Sequence, residues 1–186
     1  MAVTVIWRAS STEVFAGGHG TFIRYDGVTW MALGSGHPYV NYYYDRIWGT
    51  SSTDVYYVGG ESSLHVGIVL HYDGASWSES LRTDYPFLGM WGTSSTDIYT
   101  VGDNGQMFHY DGSTWNYMDS KTRWTLNAIC GIPSGEMNAV GGDCTGINDC
   151  FSRYLAIPDT TVAGLYIILS IVSLCILVFL KIGYKS

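Results

Sequence analysis

Carboxylates recur along this chain in two kinds of turn, which makes them the first candidates for chemistry. Asp54 and Asp97 end Gly-Thr-Ser-Ser-Thr-Asp segments, while Asp26, Asp73 and Asp111 begin Tyr-Asp-Gly turns. Such carboxylates could bind a cation, but Ser/Thr/Asp-rich turns use side-chain oxygens to bond their own backbone, and Asp-Gly supplies a hairpin turn. Because the pattern returns in successive repeats, whereas a catalytic constellation is usually unique, we interpret these aspartates as structural. We predict no metal site and no cofactor.

Histidines occupy two kinds of position. His71 and His109 precede a tyrosine where the first repeat has Arg24, and this exchange favours a surface or inter-repeat polar role. The remaining histidines lie in variable loops, at His19, His37 and His65. Their spacing selects no metal. Nucleophile elbows, phosphate-binding glycine loops and the H-E-x-x-H motif are absent from the sequence, so we predict that the protein is not an enzyme.

The cysteines indicate a compartment rather than a reaction. Cys144 and Cys150 flank a polar, glycine-containing loop. We predict a disulfide between them, which implies an oxidising compartment, and two unpaired thiols are the alternative. Cys130 holds a repeat position that elsewhere holds tryptophan, so we expect a core residue there. Cys175 lies in an apolar segment, and the absence of C-x-x-C gives no support to zinc or covalent haem.

The composition excludes one class of partner and favours one class of fold. Charged residues make up 13 % of the 186 residues, the net charge is −7, and no basic stripe is present. Nucleic-acid binding therefore has no electrostatic support. Aromatic residues at 15 %, together with 23 glycines, suit an all-β fold of short strands and tight turns.

The sequence repeats itself with a period of about forty residues, which is typical of propeller blades. Residues 47–56 (IWGTSSTDVY) return as 90–99, a diverged copy occupies 6–15, and a weaker one begins at Ile129. A second motif, Tyr-Asp-Gly-x-x-Trp, ends at Trp30, Trp77 and Trp115. We expect the repeated tryptophans, which include Trp7, Trp48 and Trp91, to pack between repeats, with a carbohydrate platform as the alternative.

These repeats resemble a family of bacterial β-propeller repeats, loosely kelch-like, that carry a WGTSSTD turn and an HYDGSTW turn. The resemblance covers roughly residues 7–155 and implies an all-β fold with blades of four antiparallel strands around an axis. It implies no particular chemistry. In the third repeat we predict strands at 88–91, 98–101, 106–110 and 114–118. The last repeat has only three, at 126–129, 137–140 and 151–155.

The sequence has three full blades and one incomplete blade, and this number does not decide whether the blades close into a ring. Closed propellers usually have four to eight blades, so a small four-bladed ring, an open arc and pairing with another chain are all compatible with the sequence. Because strands in a blade alternate direction, the near-identical GTSSTD and YDG turns lie on one face, the repetitive face. Everything that varies lies on the other, the variable face: residues 34–45, 61–67, 83–87 and the cysteine loop.

Variable loops on a rigid scaffold are where binding usually occurs, and Tyr, Phe and Trp anchor interfaces. On this basis we predict seven interface residues: Tyr39, Tyr42, Tyr43, Tyr44, Tyr85, Phe87 and Trp124. Trp124 stands outside the repeat pattern.

The last residues differ in composition from the repeats. Residues 161–180 carry no charge, and a helix of this length spans a bilayer core of about 30 Å. We therefore predict a repeat domain over 1–156, a linker over 157–161, a transmembrane helix over 162–180 and a short basic tail over 181–186. Small residues admit close helix contacts in a membrane, here Ala163, Gly164, Ser170 and Ser173.

Topology rests on Lys181 and Lys185, which place the tail in the cytoplasm and the repeats on the periplasmic or extracellular side. A tail-anchored protein with a cytosolic repeat domain is the alternative. We expect a non-catalytic, membrane-anchored interaction module, an accessory subunit of a larger membrane complex whose partners are other subunits and, through 162–180, the bilayer. A surface receptor or adhesin that binds a glycan or another external ligand is the second hypothesis.

Overall fold

The computed structural model describes residues 3–33, 42–132 and 137–142, and the backbone of 153–157. Its strands form four antiparallel sheets, each a meander in chain order. Blade 1 comprises β1 (Val3–Arg8), β2 (Val14–Gly18), β3 (Thr21–Tyr25) and β4 (Trp30–Ala32). Blade 2 comprises β5 (Tyr43–Ser51), β6 (Asp54–Glu61), β7 (Val66–Tyr72) and β8 (Trp77–Thr83).

The third and fourth sheets follow the same plan. Blade 3 comprises β9 (Phe87–Ser94), β10 (Asp97–Gly102), β11 (Met107–Tyr110) and β12 (Trp115–Tyr117). Blade 4 comprises β13 (Leu126–Gly131), β14 (Met137–Gly141) and β15 (Arg153–Ile157). Short 3₁₀ turns at Ser62–Leu64 and Asp103–Gly105 join the second and third strands of blades 2 and 3. The predicted all-β fold of three four-stranded blades and one three-stranded blade is confirmed.

The blades are held in their shape by the repeated turns. Asp73 Oδ1 accepts hydrogen bonds from the backbone N–H groups of Ala75 and Ser76 at 2.8 and 2.7 Å, and the same pattern recurs at the other two Tyr-Asp-Gly turns. Gly74 within the turn has φ of +96°, a conformation that favours glycine. These contacts fit the predicted structural role of the turn aspartates.

Neighbouring blades pack through their first strands, so that β1, β5, β9 and β13 follow one another along the inside of the assembly. Among the described strands, no comparable packing joins blade 4 back to blade 1. Within the described ranges, the four blades thus follow one another in chain order without closing into a ring.

Three apolar clusters fill the spaces between successive blades. Most of the repeated tryptophans contribute to them: Trp7 and Trp77 to the first, Trp48 and Trp115 to the second, and Trp91 to the third. Trp30 is the exception among the six, because its side chain is 48 % exposed on the outer face of blade 1. Strand β6, which has a blade on either side, is buried from Val55 to Gly60.

Within the described ranges, no helix is both long and apolar enough to cross a membrane. The predicted helix at 162–180 lies outside those ranges, as do Ala163, Gly164, Ser170 and Ser173.

Candidate functional site

The recurring polar residues form one intra-blade network per complete blade. In blade 2, His71 Nε2 lies 2.8 Å from Asp54 Oδ1, and the His71 ring stacks on Tyr56 at 4.4 Å between centroids. Thr50 donates a hydrogen bond to the same carboxylate. The arrangement links the turn before the second strand to the third strand of the same sheet.

Blades 3 and 1 carry versions of this network. In blade 3, His109 Nε2 lies 2.8 Å from Asp97 Oδ1 and stacks on Tyr99 at 4.2 Å. In blade 1 the partners are Arg24 and Glu13, which form an ion pair at the equivalent positions. Both members of the pair have therefore changed together. The histidines, for which we predicted a surface or inter-repeat polar role, bond to an aspartate of their own blade and keep 29 % and 28 % of their side chains exposed.

The electrostatics of the network favour a fixed carboxylate. Burial alone raises the pKa of the Asp54 carboxyl. Hydrogen bonds donated by His71, Thr50 and Tyr56 outweigh burial and hold that pKa below its ordinary value. A carboxylate kept ionised by three donors stabilises the turn. Among the described residues, no three His, Cys, Asp or Glu side chains group closely enough to hold a metal ion.

The variable face carries a cleft of about 380 Å³ between blades 2 and 3. It lies where β8 ends, where the link to β9 crosses between the blades, and where the 3₁₀ turn Asp103–Gly105 begins. Its walls are Arg82, Thr83, Asp84, Tyr85, Asn104, Gln106, Phe108 and Tyr117. Binding sites are typically concave, largely apolar and furnished with a few fixed polar groups.

The link that forms one wall is held by buried hydrogen bonds. Gln106 is 6 % exposed, and its Nε2 donates to the carbonyl oxygens of Tyr85 and, at 2.9 Å, Pro86. The Asp103 backbone N–H donates to Pro86 O at 3.0 Å, and Thr83 Oγ1 donates to Tyr85 O at 3.0 Å. These bonds fix the link from both blades, so the cleft is formed before any ligand arrives.

Aromatic rings supply the contact surface of the cleft. Phe108 packs edge-on against Phe87 at 5.9 Å and against Tyr117 at 5.5 Å. The Tyr117 side chain is 65 % exposed and that of Tyr85 is 39 % exposed. At the rim, Arg82 Nη2 lies 2.7 Å from Glu79 Oε2, which orients the guanidinium. The cleft therefore places exposed aromatic rings beside a backbone that is fixed by hydrogen bonds.

The predicted interface residues divide between surface and core. Tyr85 lines the cleft, Trp124 is 42 % exposed in the link between blades 3 and 4, and Tyr43 is 56 % exposed beside His19, with ring centroids 4.6 Å apart. Tyr42 is half-buried against the first apolar cluster.

Two predicted interface residues belong to the core. Tyr44 is 1 % exposed and packs against Phe22 at 4.7 Å, and Phe87 is fully buried in the second cluster. Alternation along a strand turns these side chains inward, which corrects the prediction for both of them. Three further predicted site residues lie outside the described ones: Tyr39, Cys144 and Cys150.

Several cleft residues were missed by sequence reasoning. Gln106 was the most detectable, because it stands where the second repeat has Ile68 at the start of an otherwise apolar strand. A polar residue at a core position needs partners, and its partners are the carbonyls that shape the cleft. Tyr117 and Arg82 carried no such signal, because both lie on outer strands where polar and aromatic residues are common.

Comparison with solved structures identifies the class of fold as a β-propeller. The structure of YCF48 bound to D1 peptide superposes with a TM-score of 0.58 at 18 % identity, over 75 % of this chain and 46 % of that one. YCF48 from Cyanidioschyzon merolae superposes with a TM-score of 0.55 at 14 % identity, over 75 % of this chain and 50 % of that one. The matched part of the chain thus spans about half the length of each. Neither a protein-family model nor a curated protein matches the sequence.

Proposed function

We propose that this chain is a non-catalytic β-propeller interaction module that takes up an extended segment of a partner protein in the cleft between blades 2 and 3. The observation that carries the proposal is the preformed link, because Gln106 and Asp103 fix the backbone of residues 84–86 before binding. A preformed site avoids the ordering cost that weakens flexible binders.

The aromatic content of the cleft supports a peptide ligand. Tyr85 and Tyr117 offer rigid, partly apolar surfaces with a hydroxyl at the tip, and such residues often dominate binding energy. Asn104 and Arg82 place polar groups at the rim. The solved complex of YCF48 with D1 peptide is an example of this fold with a bound peptide.

The proposal extends to the membrane through the apolar segment at 162–180. Strand β15 runs antiparallel to β14, from the variable face towards the repetitive face, so a span that follows it leaves on the repetitive side. The cleft then points away from the bilayer, on the periplasmic or extracellular side. The protein acts as an accessory subunit of a larger membrane complex, whose helices contact Ala163, Gly164, Ser170 and Ser173.

The test is a comparison of variants purified in mild detergent from the native membrane, with co-purifying subunits identified by mass spectrometry. Tyr85→Ala and Tyr117→Ala should each weaken retention of the partner at least ten-fold, because truncation of an aromatic anchor costs about 2 kcal/mol or more. Tyr43→Ala is the matched control, since this ring is exposed on the same face but does not line the cleft.

The outcomes separate the proposal from its rival. Overlapping synthetic peptides of the retained subunit should locate one segment that binds wild type and not Tyr85→Ala. Unchanged retention in both cleft variants would overturn the proposal. Glycan-array binding by wild type that is lost in Tyr43→Ala and kept in Tyr85→Ala would instead support the receptor hypothesis.

A further inference from the structure

The wall of the cleft between blades 2 and 3 contains an arginine and an aspartate, which differ in how they are paired. Arg82 and Asp84 both line the cleft. The Arg82 guanidinium binds the Glu79 carboxylate, with its Nε 3.0 Å from Oε1 and its Nη2 2.7 Å from Oε2. No salt bridge among the described residues includes Asp84. Because the arginine is neutralised by its partner, the cleft presents the negative charge of the Asp84 carboxylate.

The backbone next to Asp84 is seated on glycines of both blades. A Cβ on Gly67 of blade 2 would lie 1.8 Å from the Tyr85 carbonyl oxygen, and a Cβ on Gly102 of blade 3 would lie 2.1 Å from the Pro86 carbonyl oxygen. A side chain at either glycine would therefore displace the link. Asp84 thus extends from a backbone that two blades hold in place, and its charge is positioned before a ligand arrives.

The equivalent link between blades 3 and 4 lacks this negative charge. It is seated in the same way, since a Cβ on Gly105 would lie 2.1 Å from the Thr122 carbonyl oxygen. The residue before Thr122 is Lys121, whose Nζ lies 2.6 Å from Asp119 Oδ2. The position that carries Asp84 in the first link therefore carries a neutralised ammonium group in the second. The acidic character belongs to this cleft and not to the repeat.

The aromatic rings of the cleft favour the same class of ligand as the carboxylate does. Tyr85 and Tyr117 expose their rings, and Phe108 packs edge-on against Tyr117. A cation is attracted to the face of such a ring as well as to a carboxylate. An anionic group would instead meet the charge of Asp84 and find the Arg82 guanidinium already bound by Glu79. The wall of the cleft is therefore complementary to a cationic side chain.

We propose that the cleft selects a lysine or arginine side chain of the partner segment, with its cationic group against the Asp84 carboxylate and the exposed rings of Tyr85 and Tyr117. This inference rests on the proposed function, since it names the chemistry of the segment that the cleft takes up. The carboxylate contributes mainly to specificity, because a segment with an acidic residue at this point is repelled.

The experiment selects random linear peptides, displayed on phage, with the full chain in mild detergent. Peptides that wild type retains and Tyr85→Ala loses should be enriched in lysine or arginine at one position. The enriched peptide and a copy with glutamine at that position are then synthesised, and their binding is measured by fluorescence anisotropy. The glutamine copy should bind wild type about ten-fold more weakly, because it lacks the charge that faces the carboxylate.

Substitutions of Asp84 assign this preference to one side chain. Asp84→Asn should bind the basic peptide about ten-fold more weakly than wild type does and should discriminate little between the two peptides. Asp84→Lys should select acidic peptides instead. Asp119→Asn is the matched control, since it removes the same charge from the neighbouring link and its amide oxygen can still accept the hydrogen bond of the Lys121 backbone N–H. This control should keep the wild-type preference.

The outcomes separate this inference from the proposed function. Tyr85-dependent peptides without a basic residue would overturn the inference and leave the proposed function standing. A basic preference that survives in Asp84→Asn, or that disappears in Asp119→Asn, would also overturn it, because the net charge of −7 would then explain the attraction. If selection gave no Tyr85-dependent peptide, the proposed function would fail and the inference with it. Thermal unfolding of each variant checks that it folds.

Discussion

The interface between blades 1 and 2 and the interface between blades 2 and 3 use the same strand positions but fill them differently. The first pairs Gly17 with Tyr57, and a Cβ on Gly17 would lie 2.5 Å from the tyrosine ring. The second has Val58 and Thr100 at the equivalent positions, both fully buried. The first interface thus combines a large side chain with a glycine, whereas the second combines two side chains of medium size. The repeats preserve the volume of the interface rather than the residues.

Polar groups differ between the same two interfaces. Trp115 Nε1 donates to Ser80 Oγ at 2.9 Å across the interface of blades 2 and 3. Trp77 holds the equivalent position in the other interface, where Leu33 replaces the serine. Among the described residues, neither Trp77 Nε1 nor the Tyr57 hydroxyl has a hydrogen-bond partner. Aromatic packing dominates there, with Trp77 stacked on Phe22 at 5.1 Å.

The largest effect is expected from converting one interface into the other. Gly17→Val should destabilise the fold by about 3 kcal/mol because its side chain overlaps the Tyr57 ring. Tyr57→Thr should cost about 3–5 kcal/mol through the cavity it leaves. The double variant should recover about 1–3 kcal/mol relative to the sum. Urea unfolding monitored by fluorescence measures all four proteins, and strict additivity would contradict the complementarity.

A second test exchanges the polar pair of blade 2 for that of blade 1. His71→Arg alone or Asp54→Glu alone should each cost about 1–2 kcal/mol because the partner loses its hydrogen-bond geometry. The double variant should regain most of this loss, since Arg24 and Glu13 form the same link in blade 1. Equal stability of the single and double variants would show that the pairs are not interchangeable.

The Asp54 carboxylate also predicts that the stability of the fold depends on pH. The pKa of Asp54 is lowered in the folded state, so its contribution is fully present above the ordinary aspartate pKa and is lost as pH falls through the folded value. The stability difference between wild type and Asp54→Ala should therefore shrink in acid, as the Asp54 carboxyl takes up its proton. A difference that stays constant to pH 2 would contradict this assignment.

The smallest effect concerns the tryptophan N–H groups. Ser80→Ala should cost about 1 kcal/mol because it leaves Trp115 Nε1 without its partner. Leu33→Ser offers Trp77 a hydroxyl but removes apolar contact from the first cluster, so the two terms should nearly cancel. Thermal unfolding should show the first change and little of the second, and a large loss from Leu33→Ser would mean that packing outweighs the added bond.

The blades could be predicted from the sequence because their turns consist of nearly identical residues. The GTSSTD and YDG segments located the described loops of blades 2 and 3 on the repetitive face, and the apolar runs between them located the strands to within a few residues. The Asp54–His71 pair was not predicted, although the sequence holds a signal for it, since Glu13 and Arg24 replace both members together in the first repeat.

The cleft could not be predicted in the same way because it depends on non-repeated contacts. Whether Tyr85 faces outward is decided by the conformation of a link that follows no regular period. Closure of the cleft wall depends on the Gln106 side chain reaching carbonyls some twenty residues earlier in the chain. Such a contact is specific to one pair of blades and leaves no repeat for comparison.

The unequal fit of Gly17 and Tyr57 also bears on how near-identical repeats avoid misassembly. Blades 2 and 3 share a ten-residue motif, and during folding a strand could dock onto the wrong neighbour. A tyrosine that tolerates only glycine opposite it rejects the valine-bearing faces of the later blades. Side-chain volume therefore distinguishes the interface of blades 1 and 2 from the interfaces that follow it.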